Sequence, residues 1–417
     1  MGKSTSTNKL KIINDPVYGF IKIPYDIIFD LIEHPWFQRL RRIRQLGLTH
    51  NVYPGANHTR FQHAVGAMHL MGLAIEEIRS KGHEITSDEA RAVTIAILLH
   101  DIGHGPFSHS LEHSLIRDTS HETISLMFME ELNGSFNGEL ELAIQIFRNK
   151  YHKQFLHQLV SSQLDMDRLD YLKRDSFFTG VTEGVIGSDR IIKMLNVLDD
   201  HLVVDEKGIY SIEKFLIARR LMYWQVYLHR TVVSSEQLLL MMLKRAQVLV
   251  EKGLNLFATP ALTYFLEDAP GKFDPSKRKN FLEQFAALDD NDILTSAKVW
   301  CNHSDQVLSV LAKGLVNRRL FAVKLDDNPF ANDLVRSMRT KVSDHLSISE
   351  EEAEYLVVSD SISNYAYSDM DDRIGIMDKR GNTRDIAEAS DMLNISVLSK
   401  TVRKYFLCYP KFMKELS

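Results

Sequence analysis

Residues 98–109 read Leu98-Leu99-His100-Asp101-Ile102-Gly103-His104-Gly105-Pro106-Phe107-Ser108-His109, and no other stretch of the chain restricts its fold as much. An all-apolar run stops there in three histidines, an aspartate and two glycines. The run before it, AVTIAILL at 92–99, has no polar face, so a helix built from it must be enclosed by protein on every side. Thr86 and Glu89 make a capping-box signature at its entrance, and Gly103 suits a left-handed residue just past its end. Such a helix delivers His100 and Asp101 into the interior. Leaving both unpaired would cost several kcal/mol, so backbone groups and water, or a coordinated cation, must satisfy them.

Composition narrows the class. The chain has 417 residues, enough for one large or two ordinary domains, with the 44% hydrophobic and 25% charged content of a globular protein. A net charge of −5 argues against nucleic acid as a partner. Cys301 and Cys408 are the only cysteines, too far apart in sequence for a disulfide framework or zinc-ribbon spacing, so a reducing, cytoplasmic compartment is expected. The N-terminus, MGKSTSTNKLK, carries no apolar signal core, and no run approaches about 18 apolar residues, so no membrane association is expected.

Residues 1–24 read as an extended segment or hairpin, punctuated by Asn14-Asp15-Pro16 and Ile23-Pro24. From Tyr25 the apolar spacing turns helical and predicts helices over 58–80, 86–102, 106–116, 121–132, 138–147, 153–174, 187–198 and 211–252. A small hairpin is predicted around Lys207-Gly208. Helices continue to about 318, after which strand-like runs at 320–325, 355–358, 374–377 and 405–408 predict a C-terminal α+β region over 319–417 with a small antiparallel sheet. The fold class is mainly α: a helical body over 25–318, with its core at about 50–180, then that mixed region.

Two further stretches carry candidate ligands. His63 lies in a helical pattern with Ala64, Gly66 and Ala67, and a mid-helix glycine, costing about 1 kcal/mol against alanine, points to close packing on another helix. In Ser162-Gln163-Leu164-Asp165-Met166-Asp167-Arg168-Leu169-Asp170-Tyr171-Leu172-Lys173-Arg174-Asp175, helical spacing puts Asp167, Asp170, Tyr171 and Arg174 on one stripe, either solvated or turned inward. His63, His100, Asp101 and Asp167 together offer imidazole nitrogens and carboxylate oxygens. That mixed set suits Mn²⁺, Fe²⁺, Co²⁺, Zn²⁺ or Mg²⁺ with positions left for water and substrate, and favours hydrolysis.

The pattern His63, His100-Asp101, Asp167 resembles the HD-domain phosphohydrolases. More narrowly, six blocks in order are similar to the deoxynucleoside triphosphate triphosphohydrolases of the SAM-and-HD-domain type. They are Lys11-Ile12-Ile13-Asn14-Asp15-Pro16, Phe37-Gln38-Arg39-Leu40-Arg41, Tyr53-Pro54-Gly55-Ala56, Arg60-Phe61-Gln62-His63, the stretch at 100–109, and Asp165-Met166-Asp167-Arg168-Leu169-Asp170-Tyr171. The likeness runs over about 11–252, and no SAM domain is expected ahead of it. It implies an HD helical bundle, a divalent metal on His63, His100, Asp101 and Asp167, and hydrolysis of a dNTP to deoxynucleoside and tripolyphosphate by water attacking the α-phosphorus.

The resemblance also assigns roles. His104, His109 and His121 match a second histidine set around the phosphates. His109 opens a predicted helix with Glu112 three residues on, which makes that pair the candidate general acid and its orienter. Arg60 and Arg168 match phosphate contacts, Tyr171 the residue stacked on the sugar, Gln45 and Asp175 the partners of the 3′-hydroxyl, and Leu46 the bulk that excludes a 2′-hydroxyl. Lys11, Asn14, Gln38 and Arg41 match a nucleotide-effector site between subunits, with Glu33 where the family has its guanine-reading aspartate, so an effector nucleotide of open base and a homo-oligomer (dimer, tetramer or hexamer) are expected. Two departures stand out: the family's triphosphate arginine falls at Gln225 and its tyrosine near sugar and base at Val233. The alternatives to a dNTP hydrolase are an HD phosphohydrolase of a monophosphate or signalling nucleotide, and a nucleotide sensor without turnover.

Overall fold

The computed structural model describes residues 11–107, 119–267, 275–364, 373–391 and 402–414. The chain opens on an antiparallel hairpin of β1 (Ile12–Asp15) and β2 (Gly19–Lys22), whose Ile21 is fully buried while Ile12 and Phe20 face outward. Helices α1 (Asp26–Glu33) and α2 (Pro35–Gln38) and a 3-10 turn at Arg39–Arg42 lead into the two long helices that carry the centre, α3 (Arg60–Ser80) and α4 (Ser87–Leu99).

α4 is the axle of the fold. Thr86 N–H donates to Glu89 at 2.8 Å and Glu89 N–H to Thr86 Oγ1 at 3.2 Å, closing the capping box read from sequence. Every residue from Val93 to Leu99 is buried, with α3, α6 (Glu141–Phe147) and α7 (Gln154–Val160) packed around it. Its one interior hydroxyl, Thr94, bonds the carbonyl of Ala90 at 2.7 Å. Between α4 and α6 lies α5 (His121–Ser135). Gly103 does not take the left-handed conformation expected of it. A Cβ there would collide with the backbone of His121 and Ser125, so its glycine serves the close approach of α5.

Several predicted elements divide. The helix expected over 153–174 is α7 and α8 (Met166–Thr179), because the Asp165 carboxylate accepts from Ser162 N–H at 2.8 Å and Arg168 N–H at 2.7 Å and so restarts the helix. The one over 187–198 becomes α9 (Ser188–Met194) and strand β3 (Leu195–Leu198), which pairs with β4 (His201–Asp205). The hairpin thus turns at Asp199 and Asp200, at φ 49° and 61°, and not at Lys207-Gly208, which sits in a 3-10 turn before α10 (Ile209–Met222). The stretch 211–252 breaks at a π-helical turn, Tyr223–Tyr227, and resumes as α11 (Arg230–Glu251), whose N-terminus is capped by His229 Nδ1 accepting from Thr231 N–H at 3.1 Å.

Helices α12 (Pro260–Glu267), α13 (Arg278–Ala287), α14 (Asp290–Trp300) and α15 (Gln306–Val316) complete the bundle. The last hundred residues mix α16 (Asn332–Leu346) and α17 (Glu350–Ala353) with an antiparallel sheet, in which β9 (Val402–Tyr409) lies between β5 (Ala322–Asp326) and β6 (Val358–Asn364). β6 begins where the strand predicted at 355–358 was to end. β7 (Gly375–Met377) and β8 (Thr383–Asp385), followed by α18 (Ile386–Ala389), join β3 and β4 instead, β7 lying parallel to β4. No described helix is long and apolar enough to cross a membrane.

Candidate functional site

Three elements converge on one point: the first turn of α3 brings His63, the end of α4 brings His100 and Asp101, and the first turn of α8 brings Asp167. His63 Nε2 lies 3.0 Å from Asp167 Oδ1 and 3.6 Å from Asp101 Oδ2, while His100 Nε2 lies 3.4 Å from Asp101 Oδ1 and 3.6 Å from Asp167 Oδ1. The distal nitrogens are committed elsewhere. His63 Nδ1 donates to Asp170 Oδ2 at 2.7 Å and His100 Nδ1 to the Ile97 carbonyl at 2.6 Å. Both acceptors take only a proton, so both rings turn an Nε2 lone pair to the centre. There each Nε2 is buried without a hydrogen-bond partner. Two orphaned imidazole nitrogens facing two carboxylates fit a divalent cation, with outer-sphere partners already fixing the tautomers.

The electrostatics agree. Burial disfavours a charged His63, yet Asp167, Asp170 and Asp101 more than offset it and lift the ring to about 10. Burial likewise opposes ionisation of Asp101, but Arg60, His100 and His104 hold its carboxyl well below the usual carboxylate range. Without an ion those carboxylates favour a proton on His63 Nε2, at the place a bound cation would take in exchange for it. The stripe read on α8 is turned inward, Asp170 and Arg174 being fully buried. Asp170 and Arg174 form a two-pronged pair, and Gly66 of α3 lies against it, as the helix-contact reading of that glycine predicts.

His104 Nε2 stands 3.2 Å from Asp101 Oδ1, and its ring stacks on His121 at 3.9 Å and 18°. Burial, then Arg60, hold His104 well below its ordinary value, so it is neutral. Asp101, His104 and His121 are also close enough to share an ion. Parallel stacked rings, however, send their in-plane lone pairs side by side instead of toward one point, an arrangement better matched to hydrogen bonding with separate oxygens of a ligand. His109 and Glu112, with residues 108–116 of the helix predicted over 106–116, lie outside the described residues, while Pro106 and Phe107 lie in a turn.

Beside the centre, Arg60 Nη1 donates to Asp101 Oδ2, and Arg168 Nε donates to the Ser162 carbonyl at 2.6 Å. Tyr171 meets Tyr227 edge to face at 6.4 Å, and Tyr227 OH donates to Asp175 Oδ2 at 2.7 Å. The other Asp175 oxygen pairs with His58 Nε2 at 2.8 Å. Gln45 presents a buried Oε1 without a partner, and Leu46 is half-buried. The two departures prove not to face the site: Gln225 reaches out to Glu183, and Val233 packs with Phe406 and Cys408. Arg219 and Tyr227 keep the same spacing in sequence as Gln225 and Val233, and they stand where those two do not. Arg219 is 3% exposed beside Tyr171, with Nη1 on Gln163 and Nε unpartnered. Shifting the register along α10 would have found this pair in the sequence. Asp170 was placed on its stripe but not given its partner His63, and His58 and Asp15 were given no site role, because their partners lie far away in the chain.

Of the effector candidates, Gln38 and Arg41 are brought together, Arg41 Nε donating to Gln38 Oε1 at 2.8 Å with its guanidinium 3.5 Å over Phe61. Lys11 lies over Phe29, and Asn14 and Glu33 are exposed.

Residues 60–175 match the family model of the HD domain, and 186–255 that of an HD associated region. The crystal structure of a phosphohydrolase from Bacteroides thetaiotaomicron VPI-5482 is 56% identical at a TM-score of 0.91, covering 96% of this chain and 99% of that one. An uncharacterized protein of Bacillus subtilis strain 168 is 31% identical over 96% of this chain and 92% of its own length. The deoxynucleoside triphosphate triphosphohydrolase SAMHD1 homolog of Dictyostelium discoideum is 32% identical over 56% of this chain, which spans about half, 48%, of that relative's length.

Proposed function

Because this chain belongs to the HD-domain phosphohydrolases, we propose that it cleaves dNTPs to deoxynucleoside and tripolyphosphate with a divalent cation held by His63, His100, Asp101 and Asp167. Mn²⁺, Fe²⁺, Co²⁺, Zn²⁺ and Mg²⁺ all suit the donors. When bound, the ion supplies a more acidic water and countercharge for phosphoryl oxygens. Asp170 and the Ile97 carbonyl keep the two Nε2 lone pairs aimed at it.

One observation carries the phosphate reading: Arg219, a buried guanidinium with no carboxylate partner among the described residues. An uncompensated cation at that depth awaits an anion. Arg60 and Arg168 add guanidiniums beside it, each already paired with a carboxylate, Asp101 and Asp165, so the countercharge left for a phosphate falls to Arg219. Tyr171 bounds the sugar, Gln45 and Asp175 hold the 3′-hydroxyl, and Leu46 crowds a 2′-hydroxyl. In the reaction, water forms a bond to the α-phosphorus as the bond to the 5′-oxygen breaks. That oxygen takes a proton from His109, which Glu112 orients, while His104 and His121 contact the phosphates. The enzyme works as a homo-oligomer tuned by a nucleotide at Lys11, Asn14, Glu33, Gln38 and Arg41.

The test is a dNTP panel with each metal, the phosphorus product identified by ³¹P NMR. Tripolyphosphate with free deoxynucleoside supports the reading. Orthophosphate or pyrophosphate refutes it and points to another phosphoester as substrate.

A further inference from the structure

The N-terminal hairpin and the candidate metal centre lie at opposite ends of one buried chain of ionic hydrogen bonds. Asp15, the last residue of β1 and 7% exposed, uses its two oxygens differently. Oδ1 accepts from Val17 N–H at 2.9 Å and Tyr18 N–H at 3.0 Å and closes the hairpin turn. Oδ2 accepts from Arg174 Nη1 at 2.7 Å. Arg174 turns its other edge to Asp170, with Nε 2.9 Å from Oδ2 and Nη2 3.0 Å from Oδ1, and that same Oδ2 accepts from His63 Nδ1. Tyr18, from the same turn, lays its ring beside Arg174 and Lys173.

One guanidinium is therefore shared by two carboxylates. Arg174 alone would neutralise Asp170. With Asp15 occupying Nη1, the trio carries a net negative charge in a dry interior, and the surplus bears on the oxygen that accepts from His63. A stronger acceptor at Nδ1 makes the ring a better ligand at Nε2. The turn and the ring are thereby joined without Asp15 approaching the centre.

We propose that Asp15 is a positioning residue of the metal centre, so that docking of the β1–β2 hairpin and cation binding through His63 stabilise each other. This rests on the reading of His63 as a ligand. The coupling is reciprocal by necessity: whatever orders the hairpin, which carries Lys11 and Asn14, tightens the cation, and the cation tightens the hairpin.

Asp15→Asn removes the charge and the acceptor facing Arg174 Nη1, while an amide oxygen still accepts from the two turn N–H groups. Mn²⁺ affinity of the metal-free full chain is measured by calorimetry for wild type, D15N, D15E and H63A. Amide hydrogen exchange at 12–22 is followed with and without Mn²⁺. D15N is expected to bind Mn²⁺ about tenfold more weakly, D15E to recover part of the loss, and Mn²⁺ to slow exchange at 12–22 in the wild type. Unchanged Mn²⁺ affinity in D15N, or exchange at 12–22 indifferent to Mn²⁺ in a wild type that binds it, overturns the coupling alone. Wild-type protein that takes up no stoichiometric Mn²⁺, or H63A that binds as wild type does, overturns the ligand reading and the coupling with it.

Discussion

Replacing Gly66 by alanine sets two effects of opposite sign against each other. Gly66 lies well inside α3, so by helix propensity alone the change stabilises the protein by about 1 kcal/mol. An added Cβ, however, overlaps Asp170 Oδ1 and Arg174 Nη2, both on fully buried side chains. Neither can retreat freely, since Asp170 holds His63 Nδ1 at 2.7 Å and Arg174 at 2.9 and 3.0 Å, and Arg174 also holds Asp15 at 2.7 Å. Clearing the methyl breaks part of that network, and disrupting a buried pair costs about 3–5 kcal/mol. Subtracting the propensity gain, G66A is expected to lose about 2–4 kcal/mol. Urea unfolding of metal-free protein, read at unchanged slope, gives the number. Because the displaced carboxylate orients His63, Mn²⁺ affinity falls about 10–100-fold in the same variant. A G66A midpoint equal to or above wild type would refute the reasoning, since α3 and α8 could then separate at no cost to the ion pair.

Arg219→Ala is expected to lower kcat/KM for a dNTP about 10²-fold with Mn²⁺ affinity unchanged; a variant that loses metal but not catalysis per bound metal contradicts the role given to Arg219. Chelation should abolish turnover and lower the thermal midpoint, and Mn²⁺ at a hundredfold excess over its Kd should restore about 2.7 kcal/mol, read by calorimetric scans with and without the ion. Arg245, 6% exposed in its side chain, pairs with Asp305 and Glu352, and holds the Asp305 carboxyl below its ordinary range against burial, while the Ser349 N–H first and Arg245 second lower Glu352. A folded-state value below the unfolded one contributes stability that is present above about pH 4 and is lost as pH falls further, so R245L should cost about 3 kcal/mol at pH 7 and the gap to wild type should close toward pH 3. A gap constant with pH would show that packing, and not charge, holds that corner.

What the sequence alone determined is local. The unbroken apolar run of α4, its capping box and the polar residues at its end require a buried helix delivering His100 and Asp101 inward, and helical spacing alone puts Asp167, Asp170 and Arg174 on one stripe. Near-neighbour geometry suffices for these, as it does for the tight contact announced by Gly66. Where it misled, long-range contacts decided the outcome. β7, with β8, joined β4 rather than one C-terminal sheet with β6 and β9, and Gly103 answers to the backbone of α5, not to its own φ. The π-helical turn at Tyr223–Tyr227 brings Tyr227 to Asp175, while Arg219 sits one helix earlier beside Tyr171. Asp170 reads as one more acid on a charged helix until packing removes it from water. Only burial, which depends on the whole chain, turns that carboxylate and distant Asp15 into partners of one histidine.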